Sequence, residues 1–238
     1  MTTPRLAPPF WRHDAYTLGR LARGVERVAA ALRDTQGSKV DCVLDLGAGD
    51  APYRAIFERP QTRYVECDLA PGSAVVIRPG EPVPLPDRSA AVVLSFQVLE
   101  HVWDLDWYLG EARRLLRDDG SLVLSTHGTW LYHPHPTDFR RWTRDGLVAE
   151  LTTRGFVVRE ITGLVGPLAW TTQFRALGYH RLLSAIPVVG SFLSAVLSSL
   201  FHVRMHLEDK LTPPEWIATN AAVYLVVAVK APSSTSPT

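Results

Sequence analysis

From residue 40 onward, short apolar runs alternate with segments whose apolar residues recur every three to four positions. Val43–Leu46, Val65–Cys67, Ala74–Ile77, Ala91–Phe96 and Leu122–Leu124 read as strands buried on both sides. Between them, helical spacing appears in PYRAIFERP, in Leu105–Leu116 and in TRDGLVAELTTRG, the last opened by Thr143 as a cap. Ahead of the first strand, Trp11–Arg33 carries a helical stripe of Leu18, Leu21, Val25, Val28, Ala29 and Leu32. FVVREIT and AAVYLVVAVK (Ala221–Lys230) add two more strands, and the second is apolar enough to sit inside a sheet. Strands alternating with helices predict an α/β fold with a doubly wound, mostly parallel sheet.

One segment breaks this rhythm. Residues 163–219 read as helices inserted before the last strand, and no charged residue occurs from Leu182 to Val203. That length reaches the threshold for a membrane span. Its Pro187, Gly190 and serines, and its place between two strands of one sheet, argue instead for a lid, a surface for a second copy of the chain, or an in-plane membrane contact. The expected organisation is a core over 1–162, a helical insertion over 163–219, and a last strand with a disordered PSSTSPT tail over 220–238.

Composition narrows the partners. Charged residues make up 21% of the 238-residue chain and the formal net charge is +1, with no Lys/Arg block, so a nucleic-acid partner is not expected. Cys42 and Cys67 each adjoin a buried strand, which points to reduced thiols and a cytoplasmic setting. MTTPRLAPPF lacks the apolar stretch of a secretory signal.

The chemistry gathers at strand ends. In VLDLGAGD (Val43–Asp50) an apolar strand ends in two glycines, which let backbone approach a ligand, with a helix behind offering free N–H groups. Asp45 lies inside that strand, and a carboxylate buried there needs a partner. The second strand ends in Glu66 and Asp68. A third cluster follows the fifth strand, where GTWLYHPHPTDFRRW places His133, His135 and Asp138 close to His127, interleaved with Trp130, Tyr132, Phe139 and Trp142. Two histidines and a carboxylate can also hold a divalent metal.

VLDLGAGD, YVECDL, PLPDRSAAVVLSFQVLEHV and LLRDDGSLVLSTHG, in this order and spacing, resemble the class I S-adenosylmethionine-dependent methyltransferases, in the branch called methyltransferase type 11. The resemblance covers roughly 40–161 and the last strand. It implies a Rossmann-like seven-stranded sheet, six strands parallel and Ala221–Lys230 antiparallel. It also implies S-adenosylmethionine as cofactor, held by Asp45, Gly47, Ala48 and Gly49, with ribose hydroxyls on Asp68 or Glu66 and further contacts from Phe96 and Gln97. Relatives place an Asp after the third strand for adenine, but here Arg78, Pro79 and Gly80 follow. Glu100 and His101 of LEHV are expected to anchor their loop. The segment with Trp11, Arg12, His13 and Tyr16 is expected to pack on the sheet or fold over the cofactor.

With His133, His135 or His127 as general base beside an aromatic platform, the expectation is O-methylation of a small metabolite or saccharide. A lipid-like or isoprenoid acceptor under the apolar insertion is an alternative. A nicotinamide dehydrogenase is another, disfavoured because Pro52 stands at the third glycine of G-x-G-x-x-G. A non-catalytic cofactor-binding module is the last.

Overall fold

The computed structural model describes residues 5–232, so most of the expected disordered tail lies outside the described residues. In chain order the elements are α1 (Ala15–Gln36), β1 (Cys42–Leu46), α2 (Arg54–Phe57), β2 (Arg63–Asp68), β3 (Val75–Val76), β4 (Ala90–Phe96) and α3 (Leu105–Leu115). There follow β5 (Leu116–His127), α4 (Arg144–Thr153), β6 (Phe156–Leu164), α5 (Pro167–Leu183), α6 (Gly190–Leu211), α7 (Pro214–Thr219) and β7 (Val223–Lys230).

The strands form one seven-stranded sheet in the order β3-β2-β1-β4-β5-β7-β6. All neighbours are parallel except β7, which runs antiparallel to both β5 and β6. This is the expected Rossmann-like arrangement. β7 is central because nearly all its side chains are apolar and buried. Alternate residues feed opposite layers: Leu44 and Leu46 join the core under α3 and α4, while Val43 joins the core under α1, α5 and α6.

Two boundaries differ from the pattern in the sequence. β5 starts at Leu116, directly after α3 and well before Leu122; Leu116 already pairs with Ala90, and regular pairing resumes only at Ser121 with Val92, so the charged residues between are pushed out as a bulge. The N-terminal helix starts at Ala15 rather than Trp11. The charge-free run spans the end of α5, the turn Ser184–Val189 and the first part of α6, which folds back on α5. No helix among the described residues is long and apolar enough to cross a membrane.

Candidate active site

In a doubly wound sheet, ligands bind beyond the carboxyl ends of the strands, where the order reverses. Here that point lies between β1 and β4, and a cavity of about 980 Å³ opens there. The turn after β1 forms its floor. Gly47 and Gly49 have φ of 81° and 55°, in the left-handed region that glycine adopts without cost. Gly47 also has no room for a side chain, since a Cβ would stand 2.5 Å from Val98. The Gly47 and Ala48 amides donate to the Cys67 carbonyl at 2.8 and 3.2 Å, which ties the turn to the end of β2.

Two carboxylates serve this floor. Asp68 lines the cavity and accepts from the Gly49 amide at 2.8 Å and the Ala70 amide at 3.2 Å. Asp45 also lines it although only 3% exposed, and burial pushes its carboxyl up to about 6. The Tyr64 hydroxyl donates to it at 2.5 Å and opposes that rise. Glu66 is absent from the cavity wall, because its carboxylate is taken by Arg54 at 2.7 Å. Phe96 and Gln97 line the cavity at the end of β4, Phe96 edge-on to Tyr53 at 4.9 Å. Gln97 has φ of 56°, a strained conformation held by its amide donating to the Ser125 carbonyl at 2.9 Å. Tyr108 steadies β1 from the other layer, donating to the Leu46 carbonyl at 3.0 Å.

The facing wall comes from the loop after β5. His133 and His135 line the cavity with rings 4.5 Å apart. Burial, with His135 and His101 beside it, lowers the affinity of His133 for a proton, so it is neutral at pH 7. His127 is a correction: it does not line the cavity but lies buried, stacked on Trp130 at 5.0 Å. Burial drives its ring down to about 3. The aromatic platform is also different. Of Trp130, Tyr132, Phe139 and Trp142, only Phe139 reaches the cavity, where it meets Trp103 edge-on at 5.3 Å with Trp107 nearby.

Asp138 is no metal ligand here. The Arg141 guanidinium donates to both its oxygens, at 2.5 and 2.6 Å, and the His133 amide donates to it at 2.7 Å. Arg141 holds this carboxyl down to about 2. Among the described residues no group of three or more His, Cys, Asp or Glu side chains can hold a metal ion. Pairing with Arg141 therefore removes the His133, His135 and Asp138 set.

Loop anchoring was legible only in part. Arg140 donates to the carbonyls of Val102 and Trp103, Arg141 to those of Trp130 and Leu131, and the Phe139 amide to the Glu100 carbonyl. His101 holds the Thr137 carbonyl through Nδ1. Glu100 is fully buried, accepts from Thr126 at 2.8 Å and lies 3.4 Å from His127 Nε2. Burial pushes it up to about 7. The Arg140–Arg141 pair was the signal available in the chain.

No residue of α5 or α6 lines the cavity, so the apolar insertion does not roof it. Trp11, Arg12, His13 and Tyr16 do not line it either. His13 stacks on His180 of α5 at 3.9 Å, and the Tyr16 hydroxyl donates to Asp209 of α6 at 2.6 Å.

A family model described as a methyltransferase domain matches residues 10–161. A probable S-adenosylmethionine-dependent methyltransferase of Mycobacterium tuberculosis is 38% identical over 88 residues, 34% of this chain and 32% of that protein. This chain thus spans about a third of that relative's length. A ubiquinone biosynthesis O-methyltransferase of Azorhizobium caulinodans is 27% identical over 181 residues, 61% of this chain and 69% of that one. In fold, the chain is similar to a putative sarcosine dimethylglycine methyltransferase from Galdieria sulphuraria, with a TM-score of 0.55, 12% identity, and 90% and 88% of the two chains covered. Because the family model spans well over half the chain, the protein belongs to the methyltransferase domain family.

Proposed function

We propose that this chain transfers the methyl group of S-adenosylmethionine to a hydroxyl oxygen of a small metabolite or saccharide. One observation carries the reading: the carboxylates Asp45 and Asp68, the glycine turn between them and the neutral imidazole of His133 face a single cavity. The residues fit the cofactor. Asp68 can accept two vicinal hydroxyls, Asp45 supplies a buried acceptor for a cation, and Gly49, which faces open space, leaves room for close approach to the backbone. S-adenosylmethionine brings a methyl carbon on a sulfonium, a leaving group that needs no activation.

The chain's work is then alignment and one proton. Holding the reactants in line can contribute on the order of 7–11 kcal/mol. A hydroxyl acceptor must lose its proton as the O–CH3 bond forms, and His133 is the neutral base placed to take it, with His135 beside it. Phe139, Trp103 and Trp107 offer a face for a sugar or a ring. The similarity to a protein named as an O-methyltransferase supports oxygen as the acceptor atom. The core runs to the end of β6 and is completed by β7, with helices α5 to α7 as an appended unit. Free Cys42 and Cys67, the latter pushed up to about 12 by burial, suit a cytoplasmic setting.

Calorimetry with S-adenosylhomocysteine and NAD, then turnover with hydroxylated acceptors, tests this. S-adenosylhomocysteine is expected to bind, and His133→Ala to lower turnover ~10²–10⁴-fold with affinity for it retained. Binding of NAD alone, or full rates in both His133→Ala and His135→Ala, would overturn the reading.

A further inference from the structure

The α5–α6 hairpin is inside out. The buried face of α6 carries Ser194, Ser198 and Met205, and that of α5 carries Ala169, Thr172, Gln173 and Ala176. Most of the large apolar side chains of α6 point the other way. At about 100° per residue, Phe192, Val196, Leu200, Val203, Leu207 and Leu211 of α6 fall in one sector about 100° wide, and all are exposed. Fourteen of the twenty-one exposed large apolar side chains among the described residues lie between Leu168 and Trp216. The turn joining the helices extends this surface. Its Val188 is 99% exposed and has φ of 66°, a conformation a β-branched residue adopts only under strain. Nothing in the fold is gained by holding that side chain in water.

Charge indicates what covers the surface. Glu208 is engaged by Arg204 at 2.7 Å, and Asp209 by Tyr16 and the Gly166 amide, so neither hairpin carboxylate is free. Arg175, Arg181 and Lys210 are exposed and have no carboxylate partner among the described residues. An apolar stripe accompanied by unpaired cations is complementary to an anionic, deformable surface. A second copy of the chain fits less well: a two-fold contact of this face would bring Arg175, Arg181 and Lys210 toward the same cations of the partner copy, with no free hairpin carboxylate to answer them.

We propose that the α5–α6 hairpin docks on an anionic lipid surface, with Leu182, Ile186, Val188 and the outer stripe of α6 entering the headgroup layer and Arg175, Arg181 and Lys210 meeting the phosphates. The helices lie in the membrane plane and do not span it. The contact stands apart from the cavity, so it holds whichever acceptor is methylated.

Flotation of the full chain with vesicles of equal parts phosphatidylcholine and phosphatidylglycerol tests it. The chain is expected to float with these vesicles and far less with phosphatidylcholine alone. Val188→Asp with Phe192→Asp, and separately Arg175→Glu with Arg181→Glu, are expected to weaken binding by about tenfold or more. All four residues are exposed and outside the cavity, so S-adenosylhomocysteine affinity and helix content stay unchanged. No flotation with either vesicle overturns the proposal, and so does equal flotation with both. A dimer in sedimentation equilibrium that the apolar variants dissociate, without vesicle binding, assigns the face to a second copy and overturns it as well. None of these readouts requires methyl transfer, so failure here is distinct from failure of the proposed reaction.

Discussion

Gly47 and Gly49 look alike in the chain but differ in what they tolerate. Both have left-handed φ, which costs a non-glycine residue roughly 1–2 kcal/mol. Gly49 faces open space, so Gly49→Ala is expected to lose only that. Gly47→Ala adds the collision with Val98 and is expected to cost about 2–5 kcal/mol in urea unfolding. Val98→Ala in the same chain should recover the collision part and not the strain. Equal losses at the two glycines would contradict this geometry.

Glu100 gives a pH signature. Its folded carboxyl is raised from 4.5 to about 7 by burial, so the folded chain holds a proton that the unfolded chain has lost. Stability therefore falls as pH rises from about 4.5 to about 7 and is level above, by on the order of 3 kcal/mol. Glu100→Gln keeps the Thr126 bond and lacks this slope. Urea unfolding at pH 5 and pH 8 is expected to show the variant gaining relative to the parent at the higher pH, and parallel behaviour would refute it. His127 titrates in the opposite sense: its depressed proton affinity costs stability as pH falls below 6.5 toward about 3.

At the scale of the element, the histidine loop is held by ionic forks rather than by regular structure. The Asp138 side chain is 2% exposed and satisfied by Arg141. Arg141→Ala leaves its charge with only the His133 amide and is expected to cost about 1–3 kcal/mol at pH 7. Turnover should fall because His133 hangs from Asp138 through its amide, while S-adenosylhomocysteine affinity is retained. Arg141→Lys should rescue little, since an ammonium cannot make the paired contacts. The loop's residue types were visible in the chain, but its wiring was not. Trp103 and Phe139 meet although they are 36 positions apart, and Arg141 removes Asp138 from any metal set through a contact no spacing rule reports. Which face of the insertion turns outward was hidden for a related reason. An apolar run with helical spacing identifies a helix but not which side faces inward, and α6 turns serines inward and leucines outward.

For the whole molecule, a ligand that binds only the folded chain stabilises it by mass action. S-adenosylhomocysteine at a hundred times its Kd should add about 2.7 kcal/mol, or a rise in Tm of about 5–10 °C for a chain of this size. NAD at the same concentration should leave Tm unchanged; a rise with NAD alone would count against the cofactor assignment.

The chain's own order of residues determined the sheet, the glycine turn and its acids. Buried parallel strands need continuous apolar runs, and an acid or a glycine interrupting one is visible within a few positions. Contacts between distant residues were decided by the tertiary structure alone. It brought Asp68 to the cavity and paired Glu66 with Arg54, and it set His133 and His135 in the cavity wall while stacking His127 on Trp130. It also turned the apolar face of α6 outward. Each of these choices depends on which neighbour a side chain meets after folding, and that is set by packing among segments far apart in the chain.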